Sequence, residues 1–247
     1  MGYSFQSRVR FSEAGEDGKL TLPGIMDYFQ DCCTFQAESI GQTSKKKNLK
    51  KRNRVWVLSA WQVVVSRSPM QGETIITTTY PYQFRAFLGM RNFTMETEDG
   101  ERLAWANSWW SFLNIQTGLP EKLLEEDMRG YVLEEKLDMD YAPRKINLPD
   151  RNAPSFQTEE PFAVQKHHLD VNHHVNNCQY VHIAQEYLPK GFSPRQVRVE
   201  YKKQGRLGDF FYPGIWTEDG KVIVSIDNEK QEPYAVMEFL DHEYGKV

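Results

Sequence analysis

Leu22, Met26, Phe29, Cys33, Ala37 and Ile40 recur three or four residues apart, and Gly41 follows them. That spacing predicts one long amphipathic helix with a wide apolar stripe, stopped by the glycine. Ahead of it, "YSFQSRVRF" reads as extended and "EAGEDGK" as a turn. From residue 55, "VWVLSAWQVVV" is almost continuously apolar and β-branched, which predicts a strand buried on both faces. "ETIITTTYPYQF" and "MRNFTMET" continue as strands, and a Glu98-Asp99-Gly100 turn leads into "RLAWANSWWSFLNI". A helix followed by consecutive antiparallel strands predicts the α+β class.

The pattern then lapses. Residues 118–160 are acidic, contain four prolines and have the periodicity of only a short helix, so they read as a connector. From residue 161 the plan repeats. An extended "EPFAVQKHHLD" precedes an apolar period through Tyr180, Val181, Ala184, Tyr187 and Leu188, and strands resume with "QVRVEYKK", "DFFYPGIWT", "KVIVSI" and "YAVMEFL". "QVVVSRSPMQGE" and "QVRVEYKKQGRLGD" share their opening and both end in glycine then an acid, which points to an internal duplication. The expected organisation is residues 1–117 as one domain, 118–160 as linker and 161–247 as a second domain.

Charge changes this picture at one place. The net charge is −4, yet Lys45, Lys46, Lys47, Lys50, Lys51, Arg52 and Arg54 form a run without an acid, and the remainder carries −11. A solvated loop or a docking patch for an acidic partner would explain the run. The acidic remainder and the lack of a recognised motif argue against nucleic acid. No apolar run approaches a membrane span, and "MGYSFQSRVRF" lacks the apolar core of a signal peptide. Three cysteines, two of them adjacent, fit reduced thiols in a cytoplasm.

Candidate chemistry concentrates in "HHLDVNHHVNNCQY", residues 167–180, which holds four of the six histidines. If the segment is extended, Asp170, Asn172 and His174 point to one side. An imidazole can take a proton from water, a carboxylate or amide can orient it, and a helix starting near Asn176 and Asn177 offers N–H donors to an oxyanion. Such donors contribute about 3 kcal/mol each in favourable cases. Helix capping alone, at about 1 kcal/mol, accounts for one asparagine but not for the whole cluster. Zinc would need a tetrahedral set, whereas His167 and His168, like His173 and His174, should face opposite ways along a strand. Cys178 as a thiol nucleophile competes with Cys178 as a small buried hydrophobe. Aligned at the helix starts, "EDGKLTLPG" of the first half stands opposite "LDVNHHVNN" and has no proton shuttle. The first copy reads as a binding half and the second as a catalytic half.

"LDVNHHVNNCQY", "WVLSAWQVVVSRSP", "GMRNFTMETEDGERLAWANSWWSFLN" and "VEYKKQGRLGD" resemble the fatty acyl-ACP thioesterases, the plant enzymes and their bacterial relatives, along nearly the whole chain. The resemblance implies a tandem double hotdog, each half a long helix wrapped by an antiparallel sheet. It implies cleavage of fatty acyl-ACP to fatty acid and ACP, with Asp170, Asn172 and His174 as the catalytic set. Asn176 and Asn177 would be substrate or oxyanion contacts. Where the plant-type sequence has Glu-Cys after two basic residues, this chain has Gln204-Gly205. Gln204 can orient water but cannot act as a base, so either Glu200 substitutes or water attacks with His174 alone. No cofactor or metal is implied, because phosphopantetheine arrives on the substrate. The acidic carrier protein would dock on the 45–54 run, and a homodimer stays open. An acyl-CoA thioesterase of the same fold and a non-catalytic acyl-binding sensor are the alternatives.

Overall fold

The computed structural model describes residues 2–42 and 53–245. It comprises two compact units, Met1–Ser59 with Val65–Met139, and Ala60–Val64 with Asp140–Val247. Six of the seven basic residues between Lys45 and Arg54 therefore lie outside the described residues.

In the first unit β1 (Tyr3–Arg8) is followed by α1 (Leu22–Ser39), β2 (Arg54–Val65), β3 (Thr74–Arg85), β4 (Leu88–Thr97), β5 (Arg102–Asn114) and the short α2 (Glu125–Met128). β1, β3, β4 and β5 pair antiparallel in that order. The expected long helix forms because Thr21 caps it, accepting the Gly24 N–H at 3.1 Å, and Pro23 fits its first turn. Ile25, Met26, Phe29, Cys32, Cys33 and Gln36 are its buried face, and the Phe29 ring lies 5.3 Å from Phe93. It stops at Gly41, whose φ of 71° lets Gln42 N–H reach the Ala37 carbonyl at 2.8 Å. β2 is buried from Leu58 to Val64, as its continuous apolar run predicts.

The second unit adds β6 (Phe156–Thr158), β7 (Phe162–Ala163), α3 (Asn177–Gln185), β8 (Gln196–Tyr201), β9 (Phe210–Glu218), β10 (Lys221–Asp227) and β11 (Pro233–Leu240). β8, β11, β10 and β9 pair antiparallel, residues Ala60–Val64 pair with β8, and β6 and β7 pair with β9. α3 packs on β10 and β11 and is half the length of α1. The apolar period continues through Tyr187 and Leu188, but Tyr187 and Leu188 bond back three residues, to Ala184 and Gln185, just ahead of Pro189. A residue before proline is disfavoured in the helical region, so the turn tightens and the helix ends. Among the described residues no helix is long and apolar enough to cross a membrane.

Residues 118–160 do not form a separate linker; they divide between the units. In the first unit Leu123 N–H bonds the Ala86 carbonyl at 2.9 Å, Glu134 N–H bonds Pro81 at 3.1 Å, and Leu137 N–H bonds Asn92 Oδ1 at 3.1 Å. In the second unit Ala142 N–H reaches Gln62 Oε1 at 2.9 Å and Ile146 N–H reaches Glu200 Oε2 at 3.1 Å. Asn92, Gln62 and Glu200 are buried polar side chains on strands, and burying them without partners would carry a desolvation cost. The strap supplies those partners, which its acidic, proline-rich composition does not advertise. Ile146 also enters a core cluster with Trp216, Ile223 and Val236, flanked by Leu148 and Phe156.

Ile146→Ala should accordingly lower unfolding stability by about 2 to 5 kcal/mol, the usual range for a buried large-to-alanine change. Urea titration measures it, and a loss below about 1 kcal/mol would show that the strap is a loose connector after all.

Candidate active site

The histidine-rich segment is a tight turn, not an extended strand. Lys166–His168 form one 3-10 turn, Leu169 and Val175 bridge antiparallel, and α3 begins two residues later. Between the bridged residues Asp170 N–H bonds the His174 carbonyl at 2.8 Å, and His173 N–H bonds the Asp170 carbonyl at 3.0 Å. His173 adopts φ 62°, in the left-handed region that closes the turn. Asp170, Asn172 and His174 are brought together by this folding back rather than by strand alternation.

The Asp170 carboxylate organises the turn. Its Oδ1 accepts the N–H of Asn172 at 2.7 Å and of His174 at 3.2 Å, and its Oδ2 accepts the Asn172 carboxamide at 3.3 Å. Aspartate is suited to this because a short carboxylate can bond backbone donors two to four residues onward. Asp170 thus orients His174 through the main chain. Asn172 and His173 are exposed, whereas His174 is partly buried.

Burial lowers the His174 pKa below its ordinary value of 6.5; the Arg206 charge and His173 push the same way, and Asp170 opposes them. The imidazole is therefore held neutral near pH 7, the form that accepts a proton. Arg206 comes from the segment beside the turn, where Val175 N–H bonds the Gly205 carbonyl at 2.9 Å. Gln204 sits on that same segment and is exposed.

Glu200 does not substitute for a base. It is buried on β8, its Oε2 accepting Ile146 N–H at 3.1 Å and its Oε1 lying 3.0 Å from Lys202 Nζ. Side chains alternate along a strand, and the next residue, Tyr201, donates its hydroxyl to the Asn177 carbonyl of α3 at 3.0 Å. Glu200 consequently faces the strap, on the opposite side of β8 from α3. The donors expected from α3 are also fewer than a bare helix start offers. Asn176 Oδ1 caps the Cys178 N–H at 2.8 Å, and Gln179 N–H bonds the Asn176 carbonyl at 3.0 Å. Cys178 is buried, as are Cys32 and Cys33.

His167 and His168 do not face opposite ways along a strand. In their 3-10 turn the rings stand 4.2 Å apart, and His168 Nδ1 accepts the Gln165 N–H at 3.0 Å. Arg54 is also not a free docking cation. Its side chain is 10% exposed, lies 2.6 Å from Glu121 and 3.0 Å from Asp127, and covers the Phe112 ring.

The first unit repeats the turn bond for bond. Gly15 N–H to Lys19 O at 2.8 Å matches Asp170 to His174, and Gly18 to Gly15 at 3.0 Å matches His173 to Asp170. Leu20 to Pro69 at 2.8 Å matches Val175 to Gly205, and Thr21 to Glu13 at 3.3 Å matches Asn176 to His168. Gly72 and Gly208 share positive φ and bond Val9 and Val164 respectively. This corrects the expected register by two residues: "AGEDGKLTL", not "EDGKLTLPG", lies opposite "LDVNHHVNN". Gly15 then stands in the place of Asp170, and Lys19 in the place of His174. Neither provides a near-neutral base. Sequence reasoning did not single out Arg206, Gly205, Tyr201 or Tyr180; the last has the apolar period of an ordinary core position.

Residues 2–131 match the family model described as acyl-ACP thioesterase N-terminal domain, and residues 152–231 match the acyl-ACP thioesterase C-terminal domain. A chloroplastic acyl-[acyl-carrier-protein] hydrolase of Cuphea viscosissima is 26% identical over 212 residues, covering 79% of this chain and 50% of its own length. A chloroplastic palmitoyl-acyl carrier protein thioesterase of Arabidopsis thaliana is 25% identical over 209 residues, with 79% and 50% covered. The chain thus spans about half the length of the curated relatives it matches. Two solved structures share the fold. An acyl-ACP thioesterase from Bacteroides thetaiotaomicron superposes with a TM-score of 0.86 at 20% identity, covering 96% of each chain. A 12:0-ACP thioesterase from Umbellularia californica gives 0.83 at 20% identity, covering 97% of this chain and 96% of that one.

In an NMR titration the His174 ring should titrate below 6.5. Arg206→Gln should raise the midpoint and Asp170→Asn should lower it. A wild-type midpoint above 6.5 would contradict the electrostatic balance described.

Proposed function

The chain belongs to the acyl-ACP thioesterase family, and from that premise we propose that it hydrolyses the thioester joining a fatty acyl chain to acyl carrier protein. The observation that carries the reading is a neutral, partly buried His174 whose backbone is fixed by Asp170. His174 removes a proton from water as the water oxygen attacks the thioester carbon. The tetrahedral oxyanion collapses, the carbon–sulfur bond breaks, and the imidazolium returns its proton to the departing thiolate. The products are the free fatty acid and the carrier thiol. Asn172, drawn onto Asp170, presents its amide toward water or the acyl carbonyl. Gln204 can hydrogen-bond the water but cannot deprotonate it. The second unit supplies this chemistry and the first holds the acyl chain. Phosphopantetheine is part of the substrate.

The acidic carrier would dock against the run from Lys45 to Arg52. Two measurements test these assignments. Wild type and a Lys45→Glu/Lys46→Glu/Lys47→Glu variant are compared on one acyl group carried by ACP, by CoA and by pantetheine. The wild type should favour ACP; the variant should lose about tenfold or more in kcat/KM on ACP alone, since steering acts through charge. Preference for CoA would replace the carrier-protein reading, absence of turnover on every thioester would favour an acyl-binding role, and equal losses would remove the docking site. Separately, Gln204→Glu should change kcat by less than about tenfold. A larger rise would show that a carboxylate base, worth about 10²–10⁴, belongs at that position.

A further inference from the structure

Tyr180 lies in the first turns of α3 and is 2% exposed. Its ring is stacked 5.5 Å from Phe211 and lies 6.0 Å from Tyr201, surroundings that phenylalanine would fill equally well. The hydroxyl nevertheless has a specific partner: it accepts the Gly205 N–H at 3.0 Å. Burial raises the phenol pKa, so the group stays protonated and neutral. Gly205 is thereby held at both ends of its own backbone, its N–H by Tyr180 and its carbonyl by Val175 N–H, the residue after His174. The fit requires glycine. A Cβ there would lie 2.8 Å from Tyr180 Oη and 2.8 Å from Phe211 Cζ, so a cysteine of the plant type has no room.

The duplicated half supplies an independent comparison. In the register fixed by the matched hydrogen bonds, Pro69 stands where Gly205 is, and Ile25 stands where Tyr180 is. Proline has no N–H to hold, and isoleucine has no hydroxyl to hold it. Donor and acceptor are thus absent together from the copy that also lacks Asp170 and His174. A purely structural need for the bond would apply to both copies, which share the same turn.

We propose that Tyr180 is a positioning residue for the hydrolysis: by holding Gly205 it sets Gln204 and Arg206 against His174. This rests on the function proposed above. The Arg206 main chain is fixed further along by its N–H to Asp209 Oδ2 at 2.9 Å, so the segment is tied on both sides of its side chain. The charged and titratable groups that act on His174 are Arg206, Asp170 and His173, and of these only Arg206 is next in the chain to the Gly205 that Tyr180 holds.

The test is Tyr180→Phe, which keeps the ring and removes the acceptor, with Gly205→Ala as a second variant that pushes a Cβ against the same hydroxyl. In folded protein each should lower kcat on acyl-ACP about tenfold or more while KM stays within about twofold, the pattern of lost transition-state positioning. The His174 midpoint, followed by NMR, should rise in Tyr180→Phe as Arg206 loosens. It should rise in Arg206→Gln too, and the double variant should show no additional rise. A folded Tyr180→Phe with wild-type kcat and an unmoved His174 midpoint would overturn the proposal. Additive shifts in the double variant would overturn it as well. The titration needs no substrate, so a wild type inactive on acyl-ACP would refute the hydrolysis reading while leaving the positioning of Arg206 separately decided.

Discussion

The bond from Val175 N–H to the Gly205 carbonyl joins the helix-bearing turn of the second unit to the segment after β8. The turn before Val175 carries Asp170, Asn172 and His174, and the segment around Gly205 carries Gln204 and Arg206. This contact, together with the Tyr180 hydroxyl that accepts the Gly205 N–H, fixes one set against the other. Its geometry also dictates neighbouring choices. Residue 205 must be glycine because Tyr180 and Phe211 approach so closely, and residue 173 must tolerate a left-handed backbone because the turn closes within six residues.

The first unit makes the equivalent contact with Leu20 and Pro69, so the two copies share the frame and differ in the side chains placed on it. What differs is a handful of side chains on one scaffold. Asp170 stands opposite Gly15, His174 opposite Lys19, and the Tyr180–Gly205 pair opposite Ile25 and Pro69. One copy keeps a long helix with a buried apolar face; the other shortens its helix and carries the polar turn at the helix start.

Much of this was legible in residue patterns, where local physics decides. The period of α1 survives because its cap, proline and terminal glycine agree with it, and β2 is buried from Leu58 to Val64 because only Ser59 and Gln62 interrupt its apolar run and both are hydrogen-bonded. The candidate residues Asp170, Asn172 and His174 do meet. Strand alternation does not give their route to one another, because it assumes an extended chain and the Asp170 carboxylate instead folds it back. The two-residue shift between the copies is not visible in the composition of the helix starts, because it is set by the backbone pairing of each turn. Glu200 and Arg54 show the same limit: their charge is visible in the sequence, but the Ile146 N–H that holds Glu200 and the Glu121 and Asp127 carboxylates that hold Arg54 are distant in it. The strap, residues 118–160, has little apolar periodicity because its backbone N–H groups and scattered side chains such as Ile146, not one regular face, make its contacts.

The central claim is that one copy of a shared turn reacts and the other does not, and a paired substitution addresses it. Hydrolysis of acyl-ACP is measured for His174→Ala and for Lys19→Ala, the same place in each unit, with folding checked for both. His174→Ala should lose about 10²–10⁴ in kcat, the contribution of a positioned base, and Lys19→Ala should keep the wild-type rate within about twofold. Unimpaired hydrolysis in His174→Ala would contradict the account.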